Sequence, residues 1–119
     1  MGKAASAVRS QREALRMACE SVKEASRIAM ARGWRLVGAY LVGSRARGDY
    51  TVESDVDVVL VIEGVEGLNA LERLEAFKEA LRPNVELRVY ATSEWTGDDI
   101  WMSVLRREAK FLLGVCKEF

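Results

Sequence analysis

The sequence predicts an α+β domain, a small mixed β-sheet flanked by helices. Helical and extended patterns follow one another in the order α-β-β-α-β-α. The run 55–62, DVDVVLVI, is apolar on both faces after its first turn, as a central strand is. A length of 119 residues, half of them hydrophobic, suits one core and leaves no room for two. There is one proline, Pro83, and neither a low-complexity tract nor an internal repeat. Residues 1–119 are therefore read as a single domain, with an N-terminal helix over 1–33 and a core over 34–119.

Residues 3–32 read as a long helix. Val8, Leu15, Ala18, Val22, Ala25 and Ala29 fall on one stripe, Arg9, Arg12, Arg16, Lys23 and Arg27 on a neighbouring basic face, and Gly33 caps the end. Residues 35–42, rich in Leu and Val, form a first strand that stops at Gly43, and a polar loop with Gly48 leads to the strand 55–62. Gly64 and Gly67 bracket a turn. Leu68, Leu71, Leu74, Phe77 and Leu81 then mark an amphipathic helix that ends before Pro83. Residues 85–91, VELRVYA, alternate as a third strand. Thr96 with Asp99 resembles a capping box opening a helix on which Ile100, Trp101, Val104 and Leu105 share a face. The stretch 110–116 reads equally as a short edge strand or a helical extension.

Composition removes several chemistries. Histidine is absent, which excludes Ser-His-Asp and Cys-His nucleophiles, imidazole acid–base work and nearly all zinc sites. Cys19 and Cys116 lie far apart in sequence and form no C-x-x-C motif or metal cluster, so a reduced, cytoplasmic state is the simplest expectation. The first thirty residues lack the apolar core of a secretory signal, and no run approaches the ~18 apolar residues of a membrane span. The net charge is zero, which argues against strong nonspecific nucleic-acid binding. That sum hides a basic first half, ten Lys/Arg against four Asp/Glu over residues 1–50, and an acidic middle, four against twelve over 51–100. Pairing within the fold is the simplest reading of this polarity.

The remaining chemistry must come from carboxylates, basic groups and hydroxyls. Gly43-Ser44-Arg45-Ala46-Arg47-Gly48 follows a strand directly. Gly43 lets the backbone turn tightly and approach a ligand; Ser44 offers a hydroxyl and an N–H; Arg45 and Arg47 offer guanidinium groups suited to phosphate. A short helix opening near Ser44 would add its amides. Asp55 and Asp57 stand at the mouth of the apolar strand, on one face and ~7 Å apart at Cα. Two like charges there call for a cation between them, or for two cations ~3.5–4 Å apart. The simpler alternative is a solvated strand end partnered by Arg45 or Arg47. Glu86, near the start of the third strand, shares a face with Arg88 and Tyr90 and could supply a further carboxylate.

Gly43-Ser44, ten intervening residues, Asp55-x-Asp57 in an apolar strand, and a carboxylate on the next strand together resemble the DNA polymerase β-like nucleotidyltransferase superfamily. The stretch GSRARGDYTVESDVDVVLV is similar to the minimal nucleotidyltransferase family of small prokaryotic proteins. The resemblance implies that fold, and it implies that Gly43 and Ser44 hold a nucleoside triphosphate such as ATP with help from Arg45 and Arg47. It further implies that Asp55, Asp57 and Glu86 bind two Mg²⁺ ions, with Glu86 drawing the proton from an acceptor hydroxyl. The third position is usually aspartate in that family, and glutamate here is one methylene longer.

Members of that family act as antitoxins of HEPN toxins, transferring AMP to a tyrosine hydroxyl. A core of this size is expected to borrow its acceptor surface from such a partner, with the Ala-rich stripe, the basic helix face, Trp95 and Trp101 as candidate contacts. Two alternatives stand beside this reading. One is an antitoxin that neutralises its partner by complex formation; the other is a small-molecule nucleotidyltransferase. A homo-oligomer is compatible with the sequence.

Overall fold

The computed structural model describes residues 3–119. Helix α1 spans Lys3–Ala31 and strand β1 spans Arg35–Val42; one helical turn, α2, covers Ser44–Arg47. Strand β2 runs Val56–Glu63, α3 Ala70–Ala76, a 3₁₀ turn Lys78–Ala80, and β3 Val85–Ala91. Then come α4 (Thr92–Trp95), α5 (Ile100–Glu108), β4 (Lys110–Phe111) and α6 (Leu113–Cys116). The stretch left open between strand and helix is therefore both, a two-residue edge strand and then a helical turn.

The sheet is mixed, in the order β3-β2-β1-β4. β1 runs antiparallel to β2 and to β4, while β2 and β3 are parallel and joined through α3. β2 lies inside the sheet and is covered on both faces, which is why its run is apolar throughout. Val56, Val58, Leu60 and Ile62 pack with Ala39, Leu41, Val85, Leu87 and Val89 beneath α1, whose Ala18, Val22, Ala25 and Ala29 are buried. The small residues let α1 approach the strands closely, so the Ala-rich stripe faces the chain's own core rather than a partner. Val42, Val59 and Val61 form a second, smaller cluster with Trp95 and Leu105 on the opposite face. Trp95 is buried there against Tyr40 (ring centroids 5.0 Å apart) and Tyr90 (6.3 Å), and so is not available for contact with another protein.

Two helices differ from their sequence patterns. α3 is shorter than the run 68–81 and turns a different face inward. Asn69 and Glu72 cap its start reciprocally. Arg73, Ala76, Phe77 and Ala80 are buried, while Leu71 is 77% exposed and Leu74 43%. The physical reason is the partner of Arg73, whose guanidinium reaches Glu94 (2.6 Å) and Val89 O (3.2 Å). That pair brings Arg73 and its neighbours down onto the sheet and lifts the leucines away. α5 opens on Asp99, which accepts from Met102 N–H at 3.2 Å; Thr96 instead donates to Thr92 O and closes α4. Of the four apolar residues read as sharing a face, Leu105 is buried, while Ile100 is 82% exposed, Trp101 54% and Val104 42%.

The cysteines are not reduced. Cys19 of α1 and Cys116 of α6 form a disulfide across 97 residues, with Cα atoms 5.2 Å apart. β4 pairs with β1 and returns the chain end to α1, so sequence distance says nothing about spatial distance here. No helix among the described residues is long and apolar enough to cross a membrane.

Candidate active site

Strand register brings the predicted groups together. Val42 pairs with Asp57 across β1 and β2, and Asp57 pairs with Glu86 across β2 and β3. The Gly43 turn, Asp57 and Glu86 thus form one row across three strands. The side chains of Asp57 and Glu86 lie on the sheet face opposite α1, by alternation with the buried Val56, Val58, Val85 and Leu87.

Gly43 adopts φ +74°, and a Cβ on it would overlap Asp57 Oδ2. Only glycine meets both demands. Its carbonyl accepts from Ala46 N–H and Arg47 N–H, 3.0 Å each, which winds α2, and Gly48 ends the turn in the left-handed region. The expected helical opening at Ser44 is therefore present. The Ser44 hydroxyl has no hydrogen-bond partner among the described residues.

The acids differ in setting. Asp57 is half-buried, and burial, followed by the negative charge of Glu86, pushes its carboxyl above the ordinary aspartate range; Arg88 opposes this in part. Glu86 keeps 55% of its side chain exposed and accepts from Arg88 Nη2 at 3.4 Å. Asp55 precedes the first residue of β2, so it lies in the loop and outside the pleat, and its charge reaches Asp57 only as a weaker contribution. Among the described residues, no group of three or more acids, cysteines or histidines is gathered closely enough to hold a metal ion. The pair Asp57–Glu86 is formed, whereas the trio with Asp55 is not. Hard carboxylate oxygens in a like-charged pair whose member resists ionisation fit a divalent cation as the missing countercharge.

The two arginines of the loop have different fates. Arg45 turns inward and is 5% exposed. Its Nη2 and Nε donate to Ser54 O (2.9 and 3.2 Å), its Nη1 to Gln11 Oε1 (3.2 Å), and it lies 4.7 Å from the centroid of the Tyr50 ring. These bonds engage every nitrogen of the guanidinium within the fold, so Arg45 shapes the loop before Asp55 rather than pointing out of it. Arg47 stays half-exposed at the mouth and bonds Asp49 (3.2 Å) and Glu108 (2.9 Å). Neither arginine hydrogen-bonds Asp55 or Asp57.

Two residues of the site escaped the sequence pattern. Glu108, at the end of α5, accepts from Gly43 N–H at 2.9 Å through one oxygen and from Arg47 through the other. It ties α5 to the Gly-Ser turn, and nothing local in the sequence signals this across 65 residues. Arg88 bridges Glu86 to the exposed Trp101, its Cζ 5.8 Å from the ring centroid. Its place two residues beyond Glu86 on an alternating strand was a usable signal. A hollow of ≈ 280 Å³ lined in part by Ser10, Met17, Arg45, Ser54 and Pro83 touches none of the three acids.

The family model of the nucleotidyltransferase domain matches residues 23–110. Among solved structures, a chain from Sulfolobus solfataricus described as a "putative nucleotidyltransferase" is 30% identical and superposes with a TM-score of 0.72, covering 93% of this chain and 87% of that one. A search of curated proteins finds no match.

Proposed function

This chain belongs to the nucleotidyltransferase domain family, and on that premise we propose that it moves AMP from ATP to a hydroxyl of a partner protein. The observation that carries the reading is the row Gly43, Asp57, Glu86, in which the glycine turn packs directly on one carboxylate and the next strand supplies another.

The Gly43 turn presents the unpartnered hydroxyl of Ser44 to the triphosphate, and Arg47 offsets part of its charge at the rim. Asp55, Asp57 and Glu86 are the residues that would hold two Mg²⁺ ions. Such ions would supply neutralisation of the charge developing on the phosphates and acidification of the acceptor hydroxyl. The acceptor oxygen bonds to the α-phosphorus in line, the bond from that phosphorus to the β-phosphate oxygen breaks, and pyrophosphate leaves with the electron pair. Glu86, the most accessible of the paired acids, takes the hydroxyl proton.

The acceptor that best fits the family resemblance is a tyrosine of a HEPN toxin, which makes this chain its antitoxin. The test is transfer of label from α-labelled ATP to a co-expressed HEPN protein, present with wild type and lost in D55N/D57N. A folded wild-type protein that transfers no label from any nucleotide contradicts the reading.

Neutralisation by complex formation alone is the second reading, and Arg88 favours it, since this cation already partners Glu86. The same double variant decides between the two. Cells fully protected from the toxin by D55N/D57N would show that binding suffices.

A further inference from the structure

The sheet edge beside the acid pair carries main-chain hydrogen-bonding groups that the chain leaves unused. β3 is the outermost strand and pairs only with β2. Asn84 O accepts from Val56 N–H at 2.8 Å, which fixes the alternation along the strand. Main-chain groups of Glu86, Arg88 and Tyr90 turn toward β2; those of Val85, Leu87, Val89 and Ala91 turn outward.

Both ends of the outward row are closed. Val85 N–H donates to Arg82 O at 3.1 Å. Arg73 Nη1 donates to Val89 O at 3.2 Å, and Ala91 N–H donates to Glu94 Oε1 at 2.7 Å. Between them, Val85 O, Leu87 N–H, Leu87 O and Val89 N–H meet no partner among the described residues. They open into a groove of ≈ 220 Å³ between β3 and α3, lined by Leu74, Arg88 and Tyr90 among others. The exposed Leu74 stands on one side of this edge, and Trp101, against Arg88, on the other.

Donors and acceptors alternating at two-residue spacing are what one added strand requires, which singles out an extended polypeptide over a helix or a small molecule. In an added strand every second side chain shares the sheet face of Glu86 and Arg88. We propose that the acceptor protein binds by adding an extended segment to β3, hydrogen-bonded to Leu87 and Val89, so that a hydroxyl-bearing side chain of that segment reaches Glu86 and Asp57. This rests on the transfer reading and adds how the acceptor is held. The bond-making step is unchanged: oxygen to α-phosphorus forms, α-phosphorus to pyrophosphate oxygen breaks, and the hydroxyl proton passes to Glu86.

The test uses the whole chain and a pool of short random peptides with a central tyrosine, prepared unmodified and in two forms N-methylated on one or the other alternate set of amides. With α-labelled ATP and Mg²⁺, methylation of the set that faces β3 lowers label transfer roughly tenfold, and methylation of the other set leaves it nearly unchanged. Without ATP, the unmodified pool slows hydrogen exchange at the Leu87 and Val89 amides, a readout that stands apart from the chemistry. Equal labelling of all three pools would overturn strand addition while leaving nucleotidyl transfer intact. Unprotected amides at saturating peptide would also overturn it. So would protection in the protein alone that rises with its concentration, because a second copy would then occupy the edge.

Discussion

Gly43 and Asp57 are coupled by contact. The turn can pass the carboxylate only because no Cβ intervenes, and φ +74° adds a backbone cost for any other residue. Gly43→Ala therefore displaces Asp57 and costs about 1–3 kcal/mol of stability. Label transfer from ATP falls by about 100-fold or more, while circular dichroism shows the fold retained. Asp57 carries a second prediction. Its folded carboxyl lies above the unfolded value of 3.8, so ionising it opposes folding. The penalty is absent below the unfolded value and complete above the folded one. Asp57→Asn accordingly raises the thermal midpoint at neutral pH, the gain fades in acid, and transfer is abolished. Melts at neutral and acid pH check this, and a gain undiminished in acid would show that charge is not its source.

At the scale of elements, the ion pair between α3 and α4 decides how the helices lie. Arg73 is buried, and its hydrogen bond to Glu94 holds that carboxyl below the usual glutamate range, with a further contribution from Ala91 N–H. A depressed acid stabilises the fold above its unfolded value of 4.5 and loses that contribution as pH falls through the folded value. Glu94 is partly exposed, so Glu94→Gln costs about 1–2 kcal/mol near neutrality. It costs little below the folded value, as urea midpoints at the two conditions would show. The same pair explains what the sequence left hidden. Strands Arg35–Val42 and Val85–Ala91 were legible to the residue because their signals, Leu and Val running up to Gly43 in the first and alternation in the second, are local properties. The inner face of α3 was not, because Arg73 found its acid 21 residues further along. Arg45 misled for a similar reason: beside Gly43 and Ser44 it reads as a phosphate ligand, but Gln11, 34 residues earlier, helps draw it inward. The spacing of Gly43, Asp57 and Glu86 survived because strand register alone brings those three together. Asp55 lies just outside that register, and the trio stays open.

For the molecule as a whole, the disulfide fastens the C-terminal turn to the long helix. In the chain-entropy account, a cross-link spanning 97 residues stabilises by about 4–5 kcal/mol. Reduction, or Cys19→Ser with Cys116→Ser, lowers the thermal midpoint markedly. Transfer at moderate temperature is preserved, since neither cysteine approaches the acid row. Melting with and without reductant, alongside an activity assay, checks both halves. In the proposed function, glycine turn and acid pair together make a nucleotidyl-transfer site. Its most direct measurement is pyrophosphate release from ATP with Mg²⁺ and a HEPN acceptor, comparing wild type with Asp57→Asn and Glu86→Gln. Wild type releases pyrophosphate matched by AMP on the acceptor, and the two variants yield neither product. Release that persists undiminished in both variants would contradict that function.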